Sequence, residues 1–217
     1  MKKIDKSIIL SQAYKKWLDS LGENHPEYNS SSNKHYLDIK MSLLHCQDSL
    51  CAYTEQSLCN TKFIDLSNWD KDKYITILAQ DEKNSIQGDL EHFDESLKPI
   101  KAWLWDNLFV VQTHANCRIK GTKAIKPILK PDSSSYDENK YLQFDFETGV
   151  FTPHNDLSDE EKDDVTYMIE TLGINCIYSQ RKKRLENWKV MLEVGLDVKA
   201  DEYITSWNMT LKQLNDK

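Results

Sequence analysis

The sequence predicts an α+β protein in which a small strand–strand–helix unit is embedded in a mostly helical domain. Three observations predict it. Two short apolar runs, one ending near Phe93 and one from Asn107 to Gln112, have strand length and flank a loop through Pro99. On either side of them, apolar residues recur at helical spacing between clear start and stop signals. The chain has 217 residues, 39% of them hydrophobic, which suffices for one sizeable core or a small core with a helical annex.

The elements follow in order. Ile8, Ile9, Trp17, Leu18 and Leu21 recur as one helical face, so residues 7–21 are expected to form a helix that stops at Gly22. Pro26 and a serine run mark 23–32 as a loop, and a second helix is expected over 33–49 with Tyr36, Ile39, Leu43 and Leu44 on one face. Residues 51–80 carry only short apolar pieces, and their type stays open. A strand to about Phe93, a second near 107–112 and a helix from about His114 form the central unit. Asp132 to Asn139 is expected to be a polar linker. Gln143–Phe146 and Val150–Phe151 read as a hairpin around Thr148-Gly149. Ser158 and Glu161 form a capping box for a helix that stops at Gly173. A further helix begins near Asn175 and passes Trp188, and a last one covers roughly 199–214. Three regions result: a helical extension over 1–49, the core over 50–130, and a hairpin and helical region over 131–217.

The formal charge of −7 argues against a protein that coats nucleic acid over its whole surface; a chain with this balance that acts on nucleic acid needs a local basic face or a partner that supplies one. No run has the length of a membrane span, and the lysine-rich start lacks the apolar stretch of a secretory signal. Five cysteines without regular spacing suit a reducing cytoplasm.

The residues that carry chemistry lie between 89 and 126. Glu91-His92 places a hard oxygen ligand beside an imidazole that can take a proton from water near neutral pH. Asn107 can clamp the loop after His92, because its amide both donates and accepts. Asn116, entering a helix from the other side, offers a second oxygen ligand. Two oxygen ligands plus waters suit one Mg²⁺ or Mn²⁺ ion. Asp89 lies two residues before Glu91 on the same strand face, as a supporting contact or a solvated group. Arg118, Lys120, Lys123 and Lys126 belong to a stretch free of acids that could follow a phosphate backbone. Together these residues can assemble a one-metal phosphodiesterase site.

This arrangement of acid-His, Asn, and Asn followed by Lys resembles the HNH endonuclease family, whose core is two strands and a helix around one divalent ion (the ββα-metal fold). The family has Asn-x-x-Lys where this chain has Asn116 to Lys120, one residue longer. The resemblance extends from Cys51-Ala52-Tyr53-Thr54-Glu55 through Ile128–Asp132 and Ile169–Asn175 to Arg181 and Arg184. Over that span the chain is similar to a subgroup associated with restriction, retron and anti-phage loci, including the HNH subunit of Septu-type defence systems. The resemblance implies DNA hydrolysis with His92 and Asn107 as catalytic residues, Glu91 and Asn116 as metal ligands, an ATPase partner, and a homo-oligomer within the complex. Two alternatives stay open: a weak or inactive interaction subunit of such a complex, and an HNH nuclease acting on RNA. Relatives often hold a structural zinc with two Cys-x-x-Cys pairs. Here Thr54, Gln112 and Ala115 stand at three of those four positions, so structural zinc is not expected. Cys46, Cys59 and Cys117 read as small apolar residues rather than as a rebuilt site with His45.

Overall fold

A computed structural model describes residues 1–215. Its centre is an antiparallel hairpin of β1 (Asp89–His92) and β2 (Leu108–Val111), with Glu91 opposite Phe109 and His92 opposite Leu108. Four apolar residues in succession make β2 a strand with both faces covered, and all four are fully buried. Gly88 lets the chain enter β1 with φ 78°, where a Cβ would lie 3.0 Å from the Val111 carbonyl oxygen. Beyond β2 the chain winds into a six-residue π-helix, Ala115–Lys120, in which the Gly121 amide donates to the Asn116 carbonyl at 2.9 Å. The expected strand–strand–helix order is present, with a single wide turn as its third element.

Two helices precede it. The first, α1 (Gln12–Leu21), begins five residues later than the periodicity suggests. Ser11 is the reason: its hydroxyl oxygen accepts the Tyr14 amide at 3.0 Å and caps the helix there. The residues before it run irregularly, with the Ile4 amide donating to Pro131 and Ile8 exposed. The second, α2 (Tyr36–Cys46), packs on β2 and buries Ile39, Met41, Leu43 and Leu44 in the core. The unassigned stretch after it holds two 3-10 turns, Thr61–Ile64 and Leu66–Asn68, capped by the side chains of Asn60 and Asp65. The expected loop after β1 also carries structure: a 3-10 turn at Glu95–Leu97 runs into a short helix at Lys98–Lys101.

The polar linker is anchored. Asp132 pairs with buried Lys6 at 3.3 Å, and the buried Tyr136 hydroxyl donates to the Met1 carbonyl at 2.5 Å. The C-terminal hairpin is β3 (Leu142–Asp145) with β4 (Val150–Pro153), turning at Gly149 as expected. Three helices complete the chain: α3 (Asp159–Thr171) behind the Ser158–Glu161 capping box, α4 (Tyr178–Glu193) and α5 (Ile204–Asn215). Arg181 joins α4 to the hairpin. Its guanidinium donates to the carbonyls of Gly149 (3.1 Å) and Ile174 (3.2 Å) and to Asn175 Oδ1 (3.1 Å), and lies 4.6 Å from the Phe151 ring centre. One hydrophobic cluster includes Ile39, Val110, Val165 and Trp207, so the three regions of the sequence share a core. The last two residues of the third region lie outside the described residues. No helix among the described residues is long and apolar enough to cross a membrane.

Arg181→Lys is expected to lower the unfolding free energy by about 2–3 kcal/mol in urea titrations, because a single ammonium cannot serve three acceptors held in a fork. An unchanged midpoint would mean that Arg181 does not hold the hairpin to α4.

Candidate active site

Strand alternation sends Glu91 and His92 to opposite faces of β1, and both side chains are buried. On one face, Glu91 Oε1 accepts from the Lys120 ammonium at 2.7 Å and from the Tyr53 hydroxyl at 3.2 Å. Loss of solvent dominates its protonation and pushes its pKa up to about 7, against the opposing pull of Lys120. The same ammonium donates to the His92 carbonyl at 2.8 Å. Lys120 is 1% exposed and ties the π-helix to the strand at two successive residues. Its reach follows from the backbone: the wide i→i+5 turn of the π-helix carries the lysine back to β1.

On the other face, His92 Nε2 lies 2.8 Å from the Ala102 carbonyl. Only a donor pairs with a carbonyl, so Nε2 carries the hydrogen and Nδ1 keeps its lone pair. Glu95 Oε2 lies 3.9 Å from Nδ1, and Glu95 also pairs with Lys98 at 2.8 Å. Burial lowers the histidine pKa below its ordinary value, so the ring is neutral at neutral pH. Tyr28 covers it edge-on, with ring centres 5.0 Å apart.

Asn107 sits where the sequence places it. Its Oδ1 accepts the Asp94 amide at 2.8 Å, and its Nδ2 donates to the Asp94 carbonyl at 2.9 Å. Its backbone carbonyl accepts the Phe93 amide at 2.8 Å, so the first residues after His92 are held at three points. Sequence reasoning did not identify Tyr53, Tyr28 or the Ala102 carbonyl as partners. Tyr53 lies within a motif already noted; the other two contacts arise from tertiary packing alone.

The remaining candidates stand apart from this network. Asn116 is half-buried on the π-helix and is not among the hydrogen-bond partners of Glu91. Asp89 accepts from the Thr113 hydroxyl at 2.6 Å at the far end of the strand. The expected basic face needs correction: Lys120 is buried in the ion pair and presents no charge to a ligand. Lys126 pairs with Asp164 and lies over Tyr167, which neutralises much of its field. Arg118 and Lys123 are exposed.

The oxygen donors proposed for a divalent ion, Glu91 and Asn116, are hard ligands of the right kind. As placed, they do not fit one, because a buried ammonium already occupies the carboxylate and satisfies its charge. The segments around Cys51 and Gln112 meet near the site. Cys51 Sγ accepts the amides of Thr54 at 3.5 Å and Gln112 at 3.3 Å. The side-chain oxygen of Gln112 lies 4.0 Å from Cys176 Sγ. No protein-family model matches the chain, and no curated protein matches it.

Glu91 gives the site a pH signature. In the fold it holds a proton up to about pH 7, whereas an unfolded glutamate releases it near 4.5. Between these values the folded state binds more protons, so the residue's contribution to stability is complete below 4.5 and declines as pH rises to 7. The unfolding free energy of the wild type minus that of Glu91→Gln is therefore expected to fall across this window. A difference that is flat or rises with pH would show that Glu91 is an ordinary ionised carboxylate.

Proposed function

We propose that this chain is an HNH-type endonuclease that hydrolyses phosphodiester bonds, with His92 as general base. The observation that carries the reading is the setting of His92. Its ring is neutral, its Nε2 hydrogen is fixed by the Ala102 carbonyl, its Nδ1 lone pair has no donor, and the loop behind it is clamped by Asn107. In this reading Nδ1 takes a proton from water, the hydroxide attacks phosphorus, and the bond to the leaving oxygen breaks, that oxygen keeping the electron pair and taking a proton from solvent. Asn107 acts by positioning the loop. Tyr28 must yield for water to reach the ring, since His92 is buried beneath it. The Mg²⁺ or Mn²⁺ that the resemblance implies is proposed as a requirement of the assembled enzyme, under the condition that Lys120 leaves Glu91.

The proposal extends to DNA as substrate, to a place in cytoplasmic anti-phage defence and to an ATPase partner. A chain with net charge −7, whose basic stretch is reduced to Arg118 and Lys123, holds DNA poorly unaided. A second reading has a specific observation in its favour. Glu91 and His92 are both 2% exposed and Glu91 is already neutralised, as suits a core that is retained for folding in an interaction subunit.

Incubation with plasmid DNA and with structured RNA, each with Mg²⁺, Mn²⁺ or chelator and with or without any ATPase encoded beside it, separates these readings. His92→Ala is expected to lower the melting temperature, since the Ala102 carbonyl loses its donor, and to lower the cleavage rate about 10²- to 10⁴-fold at a temperature where circular dichroism shows the variant folded. Wild-type cleavage by that variant would remove His92 as base. No cleavage by the intact chain under any condition would favour the interaction subunit. Co-elution of chain and ATPase on size exclusion is expected; separate elution with full activity of the chain alone would refute the partner.

A further inference from the structure

Lys6 lies in the irregular stretch before α1, and its side chain is 3% exposed. An ammonium has three hydrogens, and three acceptors surround this one: the Trp105 carbonyl at 2.5 Å, the Leu108 carbonyl at 2.8 Å and Asp132 Oδ2 at 3.3 Å. The Trp105 indole donates back to the Lys6 carbonyl at 3.0 Å, and the ammonium lies 4.2 Å from the centre of the Phe109 ring. Asp132 is held in turn by Lys130 at 2.6 Å.

The two carbonyls bracket the turn that carries Asn107. Residues Trp105–Asn107 form one 3-10 turn, closed by the Leu108 amide donating to the same Trp105 carbonyl. Leu108 is also the residue opposite His92 in the hairpin. Lys6 therefore grips the turn at both ends. Between those ends, the Asn107 side chain holds Asp94 and its carbonyl takes the Phe93 amide. A buried ammonium is costly, and an apolar residue of similar volume often serves a core as well or better. Stability alone gives no reason for a lysine at this position. Two carbonyls that must be held at a fixed separation give one.

We propose that Lys6 is a positioning residue for His92: it fixes the 105–108 turn and, through Asn107, the loop that follows the histidine. Its part in catalysis rests on the nuclease reading, whereas its hold on Asn107 does not, and the two are measured separately. NMR of the full chain compares the wild type with Lys6→Met and Asp132→Asn. The first variant keeps the length of the side chain, removes all its donors and leaves Asp132 to Lys130. The second removes the carboxylate and leaves both carbonyl bonds in place. In folded Lys6→Met the Asn107 side-chain amide and the His92 ring signals are expected to shift, and the Asn107 Nδ2 hydrogens to exchange with solvent about tenfold faster or more. In Asp132→Asn these signals are expected to stay as in the wild type. With nucleic acid and Mn²⁺, Lys6→Met is expected to lower kcat about tenfold or more at an unchanged KM. An inactive wild type would count against the nuclease reading and leave the NMR result to decide the role of Lys6.

The wild type offers a measurement that needs no variant. Burial pushes the Lys6 ammonium down to about 8, against the pull of Asp132 and with the push of Lys130. The other titratable groups around it are Asp106 and the Cys46 thiol, with Lys3 and Asp5 lining the same cavity of about 640 Å³. A neutral amine has two hydrogens for three acceptors. The Leu108 amide and the Asn107 side-chain amide are therefore expected to move with the same midpoint, near pH 8, as the Lys6 ¹⁵Nζ signal itself. Asn107 and His92 signals unmoved in Lys6→Met, an equal displacement in Asp132→Asn, or Leu108 and Asn107 amides that ignore the Lys6 titration would each overturn the proposal and leave Lys6 a core residue only.

Discussion

Two ionisable side chains follow one another on β1, both buried, and they point in opposite directions. Placing a charge or a polar ring out of water costs several kcal/mol unless it is compensated. Much of the surrounding structure meets that demand. On the Glu91 side, the Lys120 ammonium and the Tyr53 hydroxyl converge on one carboxylate oxygen. On the His92 side, the Ala102 carbonyl takes the ring hydrogen and Asn107 pins the backbone that follows. The π-helix belongs to the same solution, since its wide turn brings Lys120 back to the strand.

The arrangement links parts of the chain that are distant in sequence. Lys120 contacts Glu91 and the His92 carbonyl together, so movement of the π-helix is felt at both residues. Ala102 holds the imidazole while Trp103, its neighbour, stacks on Tyr28.

The strand–strand–helix order, the C-terminal hairpin and the capped helix at Asp159 were legible because each rests on a local signal: an apolar run, a glycine at a turn with φ 75°, or a serine and glutamate three apart. Asn107 was legible too, since a bifunctional amide between two strands has few other uses. Lys120 was not. In sequence it belongs to a run of lysines and an arginine, and nothing local distinguishes a lysine that pairs with a buried glutamate 29 positions earlier from one in water. The start of α1 was misplaced because hydrophobic spacing continues through Ile8 and Ile9, whereas the Ser11 cap decides where the helix begins. The 51–80 stretch resisted reading because its turns are capped one at a time by Asn60 and Asp65 and share no periodicity.

The central claim is that β1 presents a neutral imidazole whose Nδ1 lone pair is free while Nε2 is tethered. Two-dimensional ¹⁵N NMR of histidine-labelled protein, with His92 assigned by comparison with His92→Gln, reads this directly. The account predicts a protonated Nε2 and an unprotonated Nδ1 at pH 7, with titration only below the ordinary histidine range. A hydrogen on Nδ1, or an imidazolium at pH 7, would contradict it.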